Sequence, residues 1–244
     1  MQVFRTKPGP RAAATAFTLV EMLVVIAIIS ILMTAGSIGL SGMGGKGVTS
    51  GVATAESLFD EARTTAVGRN IRACVLVAKN LTNNPAEDLR RILIAYEETN
   101  TDGTPKQTDP AAAPNWVISS RGAVLPDQTF FSEVYSNVKD PNGGTSTLKT
   151  VKSPGNITGG KKSFDGEYFI YEFNSQGICA TPGARFIIGT GARTSTKPAT
   201  GANVPRVVGG AKRDFGGFVV WKNGRTSMFR APDQMDLPSD ITKF

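Results

Sequence analysis

The sequence predicts an α+β fold in which a long N-terminal hydrophobic helix packs on an antiparallel, β-rich globular head. Three observations predict it. An apolar run covers residues 17–40, and no proline occurs in residues 17–84, so one or more long helices can form there. After residue 70 the pattern changes to short runs of β-branched and aromatic residues separated by turn residues, which is typical of strands.

Composition argues against an enzyme. The chain has 244 residues and a net charge of +7, with no histidine and two cysteines. Histidine is the commonest general base and metal ligand, and two cysteines are too few for a cysteine-rich zinc site. We therefore expect a binding or structural protein with no cofactor, no metal and no catalytic residues.

The first forty residues predict a membrane helix behind a basic leader. Residues 1–16 contain three cations and no acid, and residues 22–45 form a run of 24 residues without charge. About 20 helical residues cross a bilayer core of roughly 30 Å. The basic leader should stay in the cytoplasm, which places the head on the other side of the inner membrane, in the periplasm.

Glu21 is the one charge inside this apolar helix. A carboxylate in a spanning helix costs about 2.5–3.5 kcal/mol on insertion scales, so such a residue predicts a functional partner. Cleavage before Phe17 would create an α-amine near the start of the same helix. In a packed assembly, Glu21 of one subunit could then meet the amine of its neighbour.

The segment Ala16-Phe17-Thr18-Leu19-Val20-Glu21, followed by MLVVIAII, resembles the prepilin cleavage and methylation motif of type IV pilins and type II secretion pseudopilins. The resemblance implies cleavage between Ala16 and Phe17 by a prepilin peptidase/methyltransferase, N-methylation of Phe17, and docking of Glu21 into a filament. Its other implied partners are further pilins or pseudopilins, an inner-membrane assembly platform and its ATPase. The family usually has glycine where this chain has Ala16.

Two other interpretations of the N-terminus stay open. One is a secretory signal peptide cut near Ala35, although the apolar run is longer than the usual 7–15 residues. The other is an anchor that is never cut.

Residues 41–70 predict a glycine-rich break followed by an amphipathic helix. Four glycines cluster in SGMGGKG, and each helical glycine costs about 1 kcal/mol relative to alanine. Beyond them, apolar residues recur at helical spacing and should face a sheet. These apolar positions are Val52, Ala55, Leu58, Phe59, Ala62 and Ala66. Gly68 or Asn70 is expected to end the helix.

Residues 71–244 should form the head. The predicted strands are 71–78, 90–98, 115–121, 168–173, 184–190, 217–222 and 226–230, with a two-residue hairpin turn at Asn223-Gly224. The regions 99–114, 139–163 and 191–213 are predicted as loops, the last with a short edge strand at VPRVV.

The head resembles the GspH/FimT-like minor pseudopilins. The matching pieces are FDEARTTAVGRN leading into IRACVLV, WVISSRGAVLP, FNSQG and WKNGRTSMF, spread over residues 55–230. The predicted loops are longer than that subgroup usually has.

Cys74 and Cys179 could form a disulfide outside the cytoplasm, and the alternative is two separate buried thiols. Residues 181–244 hold ten Lys+Arg and four Asp+Glu. This asymmetry raises nucleic-acid binding as an alternative, and some FimT-like proteins take part in DNA uptake. The candidate contacts are Lys212, Arg213, Lys222, Arg225 and Arg230.

Loop oxygens could also bind calcium, although their spacing does not match an EF-hand. The candidates are Asn100, Asp102 and Asp109, or Asp140 and Asn142.

Overall fold

The computed structural model describes most of the chain as two units, residues 1–42 and 43–244, and each is treated by itself. The described residues are 19–41, 43–107, 114–139, 144–153, 155–193, 197, 199–200, 203–207, 214–229, 232–238, 241–242 and 244.

Two helices occupy the N-terminal third of the described chain. Helix α1 spans Leu19–Ser41 and helix α2 spans Met43–Arg69. Three of the four glycines of the expected break, Gly44, Gly45 and Gly47, are helical, and the fourth, Gly42, lies outside the described residues.

Close packing explains why α2 tolerates glycine. A Cβ placed on Gly51 would lie 2.8 Å from Cδ1 of Ile188, which belongs to a strand of the head. Each glycine costs about 1 kcal/mol against alanine, and the tight contact between helix and sheet offsets that cost.

Asn70 ends α2, as predicted. Its φ is +54°, in the left-handed region that asparagine tolerates. The Asn70 N–H donates to the carbonyl of Val67, and the Ile71 N–H donates to the carbonyl of Ala66. These two bonds make a Schellman motif, and Ile71, whose N–H closes it, is buried.

Thirteen strands follow α2 in the described part of the head. In chain order they are β1 (Ala73–Leu81), β2 (Arg91–Glu97), β3 (Trp116–Val124), β4 (Thr129–Phe131), β5 (Val138–Lys139), β6 (Thr145–Ser146), β7 (Thr150–Ser153), β8 (Ile157–Thr158), β9 (Gly166–Phe173), β10 (Ala184–Ala192), β11 (Arg206–Val207), β12 (Phe215–Val220) and β13 (Thr226–Met228).

The strands form two sheets. The first has the order β7-β9-β1-β2-β3-β8, with every pair antiparallel except β3 and β8. The second has the order β13-β12-β10-β5-β6, and β4 and β11 also pair with β10. The predicted α+β fold with an antiparallel β-rich head is therefore confirmed.

The predicted loop 139–163 is only partly a loop. Its apolar side chains recur too sparsely to signal strands, yet it contributes β6, β7 and β8 and, among its described residues, two buried apolar side chains, Leu148 and Ile157. Ile157 helps to cover the face of the first sheet that points away from the second. We call this buried layer the outer core; it consists of Cys74, Leu76, Ala78, Leu81, Leu93, Ala95, Trp116, Ile118, Ile157, Tyr168 and Ile170.

The turn between β12 and β13 differs from the predicted two-residue turn. The Gly224 N–H donates to the Trp221 carbonyl, and the Trp221 N–H donates to the Arg225 carbonyl. Gly224 has φ +73°, whereas Asn223 has no positive φ. A two-residue turn of the expected type needs positive φ at both central residues, so the turn is instead a type I turn followed by a glycine bulge.

A second buried layer lies between α2 and the two sheets, and we call it the central core. The predicted apolar face of α2 points into it, with Ala55, Phe59, Ala62 and Ala66 fully buried. The Phe59 ring lies 4.9 Å from the Tyr171 ring of the first sheet and 5.0 Å from the Phe218 ring of the second, measured between centroids, both in edge-to-face geometry. One side chain thus joins the helix to both sheets.

We expect Phe59→Ala to lower the free energy of unfolding of the head by about 3–5 kcal/mol, since it deletes a fully buried ring and leaves a cavity. Urea unfolding followed by tryptophan fluorescence measures this. The control is Val134→Ala, at a side chain that is 56% exposed, which should change stability by less than about 0.5 kcal/mol. If both variants lowered the free energy of unfolding by the same amount, the central position of Phe59 in the core would be contradicted.

Candidate functional site

Glu21 lies in the first turn of α1. The backbone N–H groups at a helix N-terminus carry partial positive charge, which favours a carboxylate there. The one hydroxyl in the middle of the described apolar segment, Ser30, donates to the Ile26 carbonyl at 2.8 Å, which satisfies its hydrogen bond inside the helix. Apart from this hydroxyl, the middle of the segment is apolar, and Glu21 is the only acidic or basic residue of α1.

The side chains around Glu21 are apolar on all sides of the helix and exposed. Leu19 is 81% exposed, Leu23 62% and Ile26 64%, and Met22, Val24, Val25, Ile28 and Ile29 are also exposed. A helix that is apolar all round is stable only when other apolar groups surround it. This segment therefore needs lipid or neighbouring helices.

Among the residues that the structure describes, none of the helices has the length and hydropathy of a membrane span. Ala16 and Phe17, the predicted cleavage and methylation residues, lie outside the described part of the chain.

The two cysteines are free and buried, which corrects the predicted disulfide. Cys74 belongs to the outer core and Cys179 to the central core. Alternation along β1 explains the separation: Cys74 points to one face of the first sheet, and its neighbours Ala73 and Val75 point to the other. Burial raises the pKa of both thiols, so neither forms a reactive thiolate readily.

The predicted nucleic-acid contacts are only partly described. Lys222 and Arg225 are exposed on the turn between β12 and β13. Lys212, Arg213 and Arg230 lie outside the described residues. The structure therefore brings two of the five candidates together.

Two other cations of the C-terminal part are neutralised by acids. Arg193 lies 3.6 Å from the carboxylate of Asp88, which is fully buried and accepts bonds from the N–H groups of Leu81 and Ala199. Burial raises the pKa of Asp88. Arg185 lies 3.0 Å from Asp236. The net charge of residues 181–244 already counts Asp236, whereas Asp88 lies outside them, so the pair with Asp88 lowers the positive charge of this part further.

Asp236 accepts two cationic donors. Lys139 Nζ donates to its Oδ2 at 2.5 Å and Arg185 Nη2 at 3.0 Å. The hydrogen bond from Lys139, followed by that from Arg185, lowers the pKa of Asp236. The C-terminal segment is thereby tied to β5 and β10.

The calcium candidates do not assemble within the described chain. Asp109, Asp140 and Asn142 lie outside it. Asp102 accepts hydrogen bonds from the Thr104 hydroxyl and N–H at 2.6 and 2.9 Å, so it closes a local turn. Those bonds, the hydroxyl first, lower its pKa. No group of three His, Cys, Asp or Glu side chains suited to a metal occurs among the described residues.

Arg63 has a role that the sequence did not reveal. It lies outside the apolar positions of α2, and its Nε donates to the Asn223 carbonyl at 3.2 Å. A Cβ on Gly177 would lie 3.2 Å from Arg63 Cγ, and one on Gly224 would lie 2.9 Å from Arg63 Cδ. Both glycines have φ near +72°. FDEART, FNSQG and WKNGR, three of the segments on which the sequence resemblance of the head rests, therefore meet at Arg63.

The prokaryotic N-terminal methylation motif matches residues 11–37. The resemblance to type IV pilins and pseudopilins is thereby confirmed: the chain has a prepilin-type N-terminus. The motif implies processing by a prepilin peptidase and assembly with other pilins as a membrane-anchored filament subunit.

A solved structure similar to this chain is the type IV minor pilin FimU of Pseudomonas aeruginosa (strain PAO1). The two are 11% identical, with a TM-score of 0.31, over 80% of this chain and 91% of that one. That TM-score is too low to support a fold or a function. No curated protein matches the chain.

We predict that a fluorescent maleimide labels neither cysteine in the folded protein and both after unfolding in urea, because both thiols are buried. Intact-mass spectrometry counts the labels. The control is Ser227→Cys, at an exposed position, which should be labelled without urea. A protein lighter by two hydrogens, with no label after unfolding, would show that the disulfide forms after all.

Proposed function

We propose that this chain is a minor pilin or pseudopilin, a non-catalytic structural subunit of a type II secretion pseudopilus or a type IV pilus, most like the GspH/FimT-like group. The observation that carries this proposal is Glu21 within an otherwise apolar, exposed segment that lies inside the methylation motif. That combination meets the chemical needs of a filament subunit.

In this proposal the leader is cut between Ala16 and Phe17, and the new amine is methylated. Residues 17–40 hold the subunit in the inner membrane, with the head in the periplasm, until assembly. An inner-membrane platform and its ATPase then move the subunit into the filament, where neighbouring helices replace lipid around the apolar segment.

Charge pairing gives Glu21 its role. A carboxylate in an apolar surrounding is costly until a cation lies beside it. The amine of Phe17 on a neighbouring subunit supplies that cation. The pair forms only in the assembled state, so it favours assembly and fixes how far one helix is shifted along the next.

We predict that the membrane-extracted protein starts at methylated Phe17 and that Glu21→Ala is processed and inserted but poorly incorporated. Removing one partner of a buried charge pair costs about 3–5 kcal/mol, so incorporation should fall by more than about tenfold. Mass spectrometry of the N-terminus and quantification of the subunit in sheared filaments measure the two outcomes.

The matched control is Asp60→Ala, which removes an exposed carboxylate from α2 and should leave incorporation unchanged. An intact Met1 or a start near Gly36 would reject the proposal. Normal incorporation of Glu21→Ala would reject the charge pair alone.

A DNA-binding minor pilin for DNA uptake is the second candidate function. The exposed cations Lys222 and Arg225, beside the 52%-exposed Trp221, favour it. The neutralisation of Arg185 and Arg193 weakens it, because fewer cations remain for phosphates.

If this second function holds, duplex DNA should bind the purified protein with an affinity that falls steeply with salt. Changing both Lys222 and Arg225 to Glu should reduce the slope of log K against log salt by about 2, since each phosphate contact contributes about 0.9. Fluorescence anisotropy measures this, with Lys152→Glu/Lys161→Glu at exposed positions as the charge-matched control. No binding at low salt would eliminate DNA binding.

A further inference from the structure

A large groove crosses the face of the second sheet that points away from the central core. It has a volume of about 1420 Å³. The lining comes from all five strands of the main path, β5, β6, β10, β12 and β13, and from the C-terminal segment. Small-molecule sites usually have about 300–1000 Å³, so this groove suits a longer ligand.

The groove has a fixed base and wall. Arg185 lies on β10, is 9% exposed, and donates to the carbonyl of Met235 at 3.1 Å and to Asp236 at 3.0 Å. Its guanidinium also lies 5.6 Å from the centre of the Phe229 ring. These contacts hold the C-terminal segment along one side, so the groove is formed before a ligand arrives.

The lining is apolar with a positive balance. Trp221 and Met228 are 52% and 45% exposed, and tryptophan, methionine and arginine are residue types that protein interfaces favour. The charged lining residues are Lys139, Arg185 and Lys222 against Asp236 alone. A ligand that matches this surface carries apolar side chains and negative charge.

The dimensions set the ligand's length. Five neighbouring strands spaced about 4.8 Å apart span about 19 Å, which about six residues of extended chain cover at about 3.3 Å each. We propose that this groove binds an extended segment of about six residues, acidic and apolar, from a partner protein. Trp221 packs against its apolar side chains and Lys222 pairs with a carboxylate.

The proposal makes no use of the N-terminal segment. A protein that is processed normally at its N-terminus but binds no peptide is therefore one result. A protein that binds peptide but is not processed is another. Failure of the groove proposal leaves the filament proposal standing, and failure of the filament proposal leaves the groove proposal standing.

A phage-displayed library of random linear heptapeptides, selected on the full mature chain in detergent, tests the groove. We expect enriched peptides that combine Asp or Glu with β-branched or aromatic residues. The enriched peptides are then synthesised with a fluorescent label, and anisotropy gives their Kd.

Trp221→Ala and Lys222→Glu should each weaken binding by about tenfold, the size typical of an interface hot spot. The matched controls are Val134→Ala, at an exposed apolar residue, and Lys161→Glu, at an exposed cation, and both should change Kd by less than about twofold. Circular dichroism of each variant confirms folding.

Three outcomes would overturn the proposal: selection of no peptide, selection of peptides without acids, or equal effects of the groove and control variants. A fourth is competition for the groove by a poly-dT oligonucleotide that binds tighter than any selected peptide, which would assign the surface to nucleic acid.

Discussion

The head depends on one aromatic contact, the Phe59 ring between the two sheets. Each sheet alone has an apolar face that must be covered, and α2 covers both because Phe59 contacts rings on each. The alanines at positions 55, 62 and 66 are buried beside it and let the helix lie close. Gly51 also lets the helix lie close to the sheet. Small residues around the large Phe59 ring therefore set the distance between α2 and the two sheets.

Two opposing demands meet in α1. Its apolar side chains favour lipid or other helices, whereas the Glu21 carboxylate disfavours both unless it is paired. A subunit with these two properties has a reason to exchange lipid for neighbouring subunits that supply a cation. The proposed filament role therefore follows from the energetics of one carboxylate, and the head has no part in that argument.

The described cations of residues 181–244 include some that are paired with acids and some that are exposed. Arg185 holds the C-terminal segment through Asp236. Arg193 lies beside Asp88, and the Asp88 carboxylate accepts the N–H of Ala199. Lys222 and Arg225 stay exposed on a turn. The exposed cations belong to the proposed binding surfaces, whereas Arg185 and Arg193 are paired with acids.

Local patterns determined much of this protein. The apolar run, the apolar face of α2, the end at Asn70 and most long strands could be predicted, because side-chain periodicity and turn residues act over a few neighbours. The methylation motif was readable for the same reason, because it occupies one contiguous segment, residues 11–37.

Tertiary structure decided the rest. Arg63 joins turns about 110 and 160 residues away, Cys74 and Cys179 fall in different cores, and the short strands within 139–163 form only against neighbours already in place. The groove likewise needs five strands side by side. Contacts between residues distant in sequence leave no local period, so only the folded chain reveals them.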